Sequence, residues 1–201
     1  MQRIALLATL TVLSFTASTP AFACACCAET AHRYVRTETL KTQHTGELER
    51  IRFAQDAKLR VGPNETNPRM KDVQDAGETL QLTAAPTNER MTFTLRDANG
   101  RSGTLSFRMP ATISIFEVDP RGENTDTGLG PALYKEWSLR AGVSGDGLFK
   151  APVTRNTKVT LILHGRGNAC TSADQFTDWT LQVYGPAGNF MLYGKLDSAG
   201  R

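Results

Sequence analysis

The chain has 201 residues, 40% of them apolar and 21% charged, the composition of an ordinary globular protein rather than a disordered one. Its formal net charge is +3, and removal of Arg3 with a leader over residues 1–23 leaves +2. So small an excess argues against a nucleic-acid partner, and the length is that of one domain, expected over 24–201.

The leader reading rests on the first residues. Arg3 is followed by an apolar run from Ile4 to Leu13 and then by Ala21-Phe22-Ala23, the three-part pattern of a signal peptide cut before Cys24. A run of about 10 residues falls short of the ~20 needed to span a bilayer, so no transmembrane anchor is expected. Lipid attachment at Cys24 would be favoured by a larger aliphatic residue where Ala21 stands. The expectation is an exported protein, periplasmic or secreted.

Cys24, Cys26, Cys27 and Cys170 are the four cysteines. An even count in an exported chain points to disulfides. Pairing Cys26 with Cys27 demands a strained vicinal ring, whereas Cys24 with Cys27 and Cys26 with Cys170 avoids it. A bridge to Cys170 closes a long loop, worth ~4 to 5 kcal/mol on the chain-entropy account. A second reading takes Cys24, Cys26, Cys27 and His32 as soft ligands for copper or zinc. A third, a redox pair, lacks the preceding strand and helix N-terminus that lower a thiol pKa.

Residues 31–61 read as mainly β, although Leu48, Ile51, Ala54 and Gln55 could lie on one short helix. Residues 62–78 form a polar connection with room for a helical turn. From about residue 79 the dominant period is two. Met91, Phe93 and Leu95 alternate with polar neighbours, Asn99-Gly100 supplies the positive φ angles of a tight turn, and Leu105, Phe107 and Met109 return. Further alternating runs follow at 113–118, 133–143, 159–163, 179–183 and 190–196. Nine or ten strands without crossover helices predict an antiparallel all-β fold, a two-sheet sandwich first and a closed barrel second. The ligand-carrying barrels would show Gly-x-Trp near the first strand, and neither Trp137 nor Trp179 is early or so preceded.

Three segments could hold ligands. Asp119, Glu123, Asn124 and Asp126 in one long connection offer oxygen ligands for calcium, without EF-hand spacing. His164, Arg166 and Asn168 flank Gly165 and Gly167 in a turn that could bind an anion or simply be a wide turn tied by Cys170. Tyr134, Trp137, Trp179, Tyr184 and Tyr193 could stack sugar rings or could be core. No HExxH, GxSxG, Walker A or GxGxxG motif occurs, and His32, His44 and His164 are scattered. No catalytic residue can therefore be named, and an enzyme would have its site near His164.

The stretches CACC, GPALYKEW at 130–137, GRGNACTSADQF and DWTLQVYGP within 165–186 resemble an uncharacterised group of exported bacterial proteins with no known activity. The resemblance implies export and no mechanism. The functional expectation is a non-catalytic accessory or binding protein with a disulfide-stapled N-terminus. The alternatives are a copper- or zinc-binding protein and an enzyme of unidentified reaction.

Overall fold

The computed structural model of the chain describes residues 33–62, 66–118, 133–167 and 172–197. In chain order it contains β1 (Arg33–Thr39), α1 (Thr42–Arg50), β2 (Arg52–Phe53), β3 (Asp56–Val61), α2 (Lys71–Gln74), β4 (Thr79–Pro86) and β5 (Arg90–Arg96). These are followed by β6 (Ser102–Arg108), β7 (Thr112–Val118), β8 (Tyr134–Gly147), β9 (Lys158–Arg166), β10 (Phe176–Gly185) and β11 (Gly188–Asp197). One-turn 3-10 helices precede α2 at Pro68–Met70 and β10 at Ala173–Gln175.

All pairings are antiparallel, and the sheet closes on itself. Around the ring the order is β3, β4, β5, β6, β8, β9, β10, β11, with β11 returning to β3 through Leu192 opposite Leu59. The all-β expectation therefore holds in its second form, a barrel rather than two facing sheets. Eleven strands are present among the described residues, against the nine or ten expected, because β1 and the two-residue β2 lie in the segment where periodicity is weakest.

The extra strands follow from the length of β8, which has 14 residues. Its first part pairs with β7, Tyr134 opposite Val118 through Ser138 opposite Ser114. Its last part pairs with β6, Phe107 opposite Val143 through Gly103 opposite Gly147. One edge thus serves two neighbours, and β7 with its partner β1 stands off the ring as a flap.

Residues 31–61 are only partly strand. The run Thr42–Arg50 is helical, and its buried residues, His44 and Leu48, lie one turn apart on one face. Ile51 ends the helix in an extended conformation, so the stripe imagined through Ala54 and Gln55 breaks there. The turn expected in 62–78 is the Pro68–Gln74 pair of short helices, whose Met70 and Val73 are buried.

Alternation puts every second side chain inside a closed barrel. Leu80, Phe93, Leu105, Leu139, Leu161, Leu181 and Leu192 are all fully buried. Phe93 stacks on Trp179 at 5.5 Å between centroids, and Phe53 meets both rings edge-on at 5.3 and 5.4 Å. At eight strands an interior is just wide enough for side chains to fill, and the fully buried Phe93 and Trp179, with Phe53 packed against them from the rim, help fill it.

Candidate functional site

Two fully buried charged groups, Lys135 and Glu117, lie where the flap leaves the ring. Lys135 on β8 stands opposite Glu117 on β7 and opposite Gly165 on β9. It shares its inward phase with Leu133 and Trp137, and both Lys135 and Glu117 are 0% exposed. A buried ammonium or carboxylate costs several kcal/mol unless partners compensate.

The Lys135 Nζ donates to the Ser172 carbonyl at 3.1 Å and to Gln175 Oε1 at 3.0 Å, and lies 4.9 Å from the centre of the Phe176 ring. Desolvation pulls the ammonium down to about 8, against the opposing pull of the Glu117, Glu47 and Asp174 carboxylates. Near pH 8 the amine is therefore present in both forms, and its neutral form carries a nucleophilic lone pair. Glu117 accepts from Arg36 Nη1 through Oε2 at 3.0 Å, whereas its Oε1 has no hydrogen-bond partner in the described structure.

Gln175 is wedged in place by two glycines. A Cβ built on Gly167 would lie 2.0 Å from the Gln175 carboxamide carbon, and one built on Gly165 would lie 2.0 Å from the Gln175 carbonyl oxygen. Only residues without a side chain permit this approach. The Gly-x-Gly feature of the sequence is thus explained by close packing against the chain's own Gln175.

α1 covers this cluster. The His44 ring meets Trp137 edge-on at 5.5 Å, its Nδ1 accepts from the Lys41 backbone at 3.1 Å, and its Nε2 lies 3.5 Å from Glu38 Oε1. Burial holds the imidazole below its usual range in spite of Glu38. Glu47 Oε2 accepts from the Ala173 backbone at 2.7 Å, and Arg50 reaches Asp174 at 3.2 Å. These contacts tie α1 to the segment that carries Gln175.

His164 and Arg166 lie on the outer face, away from this cluster. His164 is half-buried between its register partners Glu136 and Asp178, with its ring 6.3 Å from that of Tyr134. The Tyr134 hydroxyl donates to Glu136, and desolvation together with that bond raises it well above the usual phenol range. Asp178 pairs with Lys195 at 2.5 Å. Desolvation alone would raise the Asp178 carboxyl, and hydrogen bonds from Lys195 and Thr177 hold it below the usual range.

Of the proposed aromatic platform, Trp137 and Trp179 are core, whereas Tyr184 and Tyr193 are exposed. Beside Tyr184 a shallow depression of about 180 Å³ is lined by Arg60, Val61, Gln182, Asn189 and Met191. The Tyr184 hydroxyl donates to Gln182 Oε1 at 2.8 Å, which fixes the ring.

Cys24, Cys26, Cys27, His32 and Cys170, the calcium candidates Asp119, Glu123, Asn124 and Asp126, and Asn168 lie outside the described residues. Among the described residues no group of three or more His, Cys, Asp or Glu side chains is placed to hold a metal. No helix among them is long and apolar enough to cross a membrane.

Glu117, Lys135 and Gln175 were not singled out from the sequence. The signal was present for two of them, because Ile113, Ile115, Glu117 and Leu133, Lys135, Trp137 are inward series with a charge in phase. No protein-family model, no curated protein and no solved structure matches the chain.

Proposed function

We infer that the protein is an exported, non-catalytic binding or accessory module that meets its partner on the outside of the barrel. The observation that carries this reading is the filled interior. With Phe93, Phe107 and Trp179 buried together inside the ring, a ligand carried in the lumen has no room, and recognition falls to the outer surface. The Tyr184 depression, with a fixed aromatic ring beside Val61, Phe190 and Met191 and with Arg60, Gln182 and Asn189 around it, has the largely apolar lining with polar neighbours of a contact site.

The staple belongs to the same reading. Arg33, Val118, Tyr134 and Arg166 stand side by side across β1, β7, β8 and β9. At about 4.8 Å per strand the described start of β1 lies roughly 14 Å from the end of β9. The chain from Cys27 to Arg33 can span up to about 20 Å, which favours a bridge from the N-terminal cysteines to Cys170.

Two measurements test the proposal. N-terminal sequencing and a free-thiol count on the exported fraction should give Cys24 as the first residue and no free thiol. Four free thiols with stoichiometric copper or zinc would overturn the staple in favour of metal binding. A photo-crosslinking residue in place of Tyr184 should yield a discrete adduct in the native compartment, absent when the same residue replaces exposed Glu89. Adducts of equal yield from both sites, or none from Tyr184, would overturn the assignment of the binding face.

A further inference from the structure

The cluster of Lys135, Gln175 and Glu117 holds the parts for a self-made covalent bond. A buried amine touches a carboxamide at 3.0 Å, both are locked, and a buried carboxylate oxygen without a partner stands on the neighbouring strand opposite the amine. The carboxamide is held against the Gly167 backbone, and the Phe176 ring lies 4.9 Å from the amine. Proximity and fixed orientation replace the encounter that makes amine exchange on an amide slow in water. The amine and Glu117 are both fully buried, which keeps bulk water from competing with the amine on its side of the carboxamide.

We propose that in the folded protein the Lys135 amine attacks the side-chain carbon of Gln175 and displaces ammonia, leaving a Lys135–Gln175 isopeptide bond, with Glu117 relaying the proton. In the balanced step, neutral Lys135 Nζ forms a bond to Gln175 Cδ and its proton passes through Glu117 Oε1 to the carboxamide nitrogen. The Cδ–N bond then breaks and NH3 departs. No oxidant, reductant or cofactor is required. Glu117 stays aimed by its Arg36 ion pair at 3.0 Å, and burial, which pulls the Lys135 ammonium down to about 8, supplies neutral amine at ordinary pH. The product would tie β8 covalently to the 3-10 turn that begins β10, closing a loop across 40 positions of sequence.

The test is the intact mass of the full chain from its exported fraction, measured after disulfide reduction and set against the sequence mass from its measured N-terminus. The expected deficit is one ammonia, about 17 Da. Peptide mapping should place it in a branched peptide containing both Lys135 and Gln175, with trypsin no longer cutting after Lys135. Lys135→Arg, which keeps a buried cation with donors, and Gln175→Ala should each return the full mass. Glu117→Gln, folded by circular dichroism, should form the bond slower by about a hundredfold or more.

A wild-type chain at full sequence mass after prolonged incubation at pH 8 would overturn the proposal and leave Lys135 a hydrogen-bonding anchor only. A deficit mapping instead to Asn99-Gly100, where a succinimide would lose the same ammonia, would also overturn it. Bond formation in Glu117→Gln at the wild-type rate would overturn the relay assignment. None of these outcomes depends on the binding face or the cysteines, so this inference and the proposed function fail separately.

Discussion

Asp97 organises the β5–β6 turn through three acceptor contacts. Its Oδ1 accepts from the backbones of Asn99 at 2.9 Å and Arg101 at 2.8 Å, and its Oδ2 accepts from Arg101 Nε at 2.7 Å. Burial alone would raise this carboxyl, but the Arg101 and Asn99 donors outweigh it and hold the pKa below the ordinary aspartate value. A carboxyl lowered on folding adds stability that is present above the unfolded pKa, near 4, and lost as pH falls through the lower folded value. Asp97→Ala should cost about 2 to 3 kcal/mol in urea unfolding at pH 7, because two backbone donors lose their acceptor. It should also flatten the decline of stability that the wild type shows as pH falls below about 4. At this scale the sequence was informative about phase and silent about partners. Lys135 and Glu117 take the inward phase of their strands, yet only the register of β7 against β8 sets them opposite each other, and register arises from the fold as a whole.

α1 was the least legible element, and the reason is its composition. Thr42, Thr45 and Gly46 are weak helix formers, and a single buried pair, His44 and Leu48, is too little apolar surface to set a period. The helix forms because it has something to cover: the space left where β7 departs from the ring, with Trp137 beneath His44 and the Ala173 backbone held by Glu47. Tertiary contact of this kind outweighs local propensity. Leu48 is fully buried in the shared core, and Leu48→Ala should cost about 2 to 4 kcal/mol. Hydrogen exchange should show the added opening first at the amides of α1 and only later in β4 and β5. Uniform loss of protection across all strands would show instead that the helix is an inseparable part of the barrel.

At the scale of the molecule, a sandwich and a barrel draw on the same strands. Both need alternating residues and antiparallel neighbours, so the pattern from Met91 to Leu196 is compatible with either. What distinguishes them is whether Leu59 finds Leu192 and whether β8 divides its edge between β7 and β6, pairings between segments remote in sequence that a local period does not encode. The filled interior has a direct test. Phe93→Ala should cost about 3 to 5 kcal/mol and open an apolar space beside Trp179, Phe53 and Phe107. Such a space should stay dry and take up xenon or benzene. Benzene should raise the melting temperature of the variant and leave the wild type unchanged.

Closure between β3 and β11 also sets a timetable. β4, β5 and β6 are joined by short turns, as are β10 and β11, so these hairpins can form from local contacts within microseconds to milliseconds. β3 precedes β11 by more than 120 positions, and β11 is its second ring neighbour and the last strand among the described residues. Until β11 arrives, one edge of β3 is open, and the barrel can complete only once β11 has been delivered. The folding rate should therefore be limited by this final seam, and a chain stopped before β11 should remain an open sheet prone to pair with its own copies.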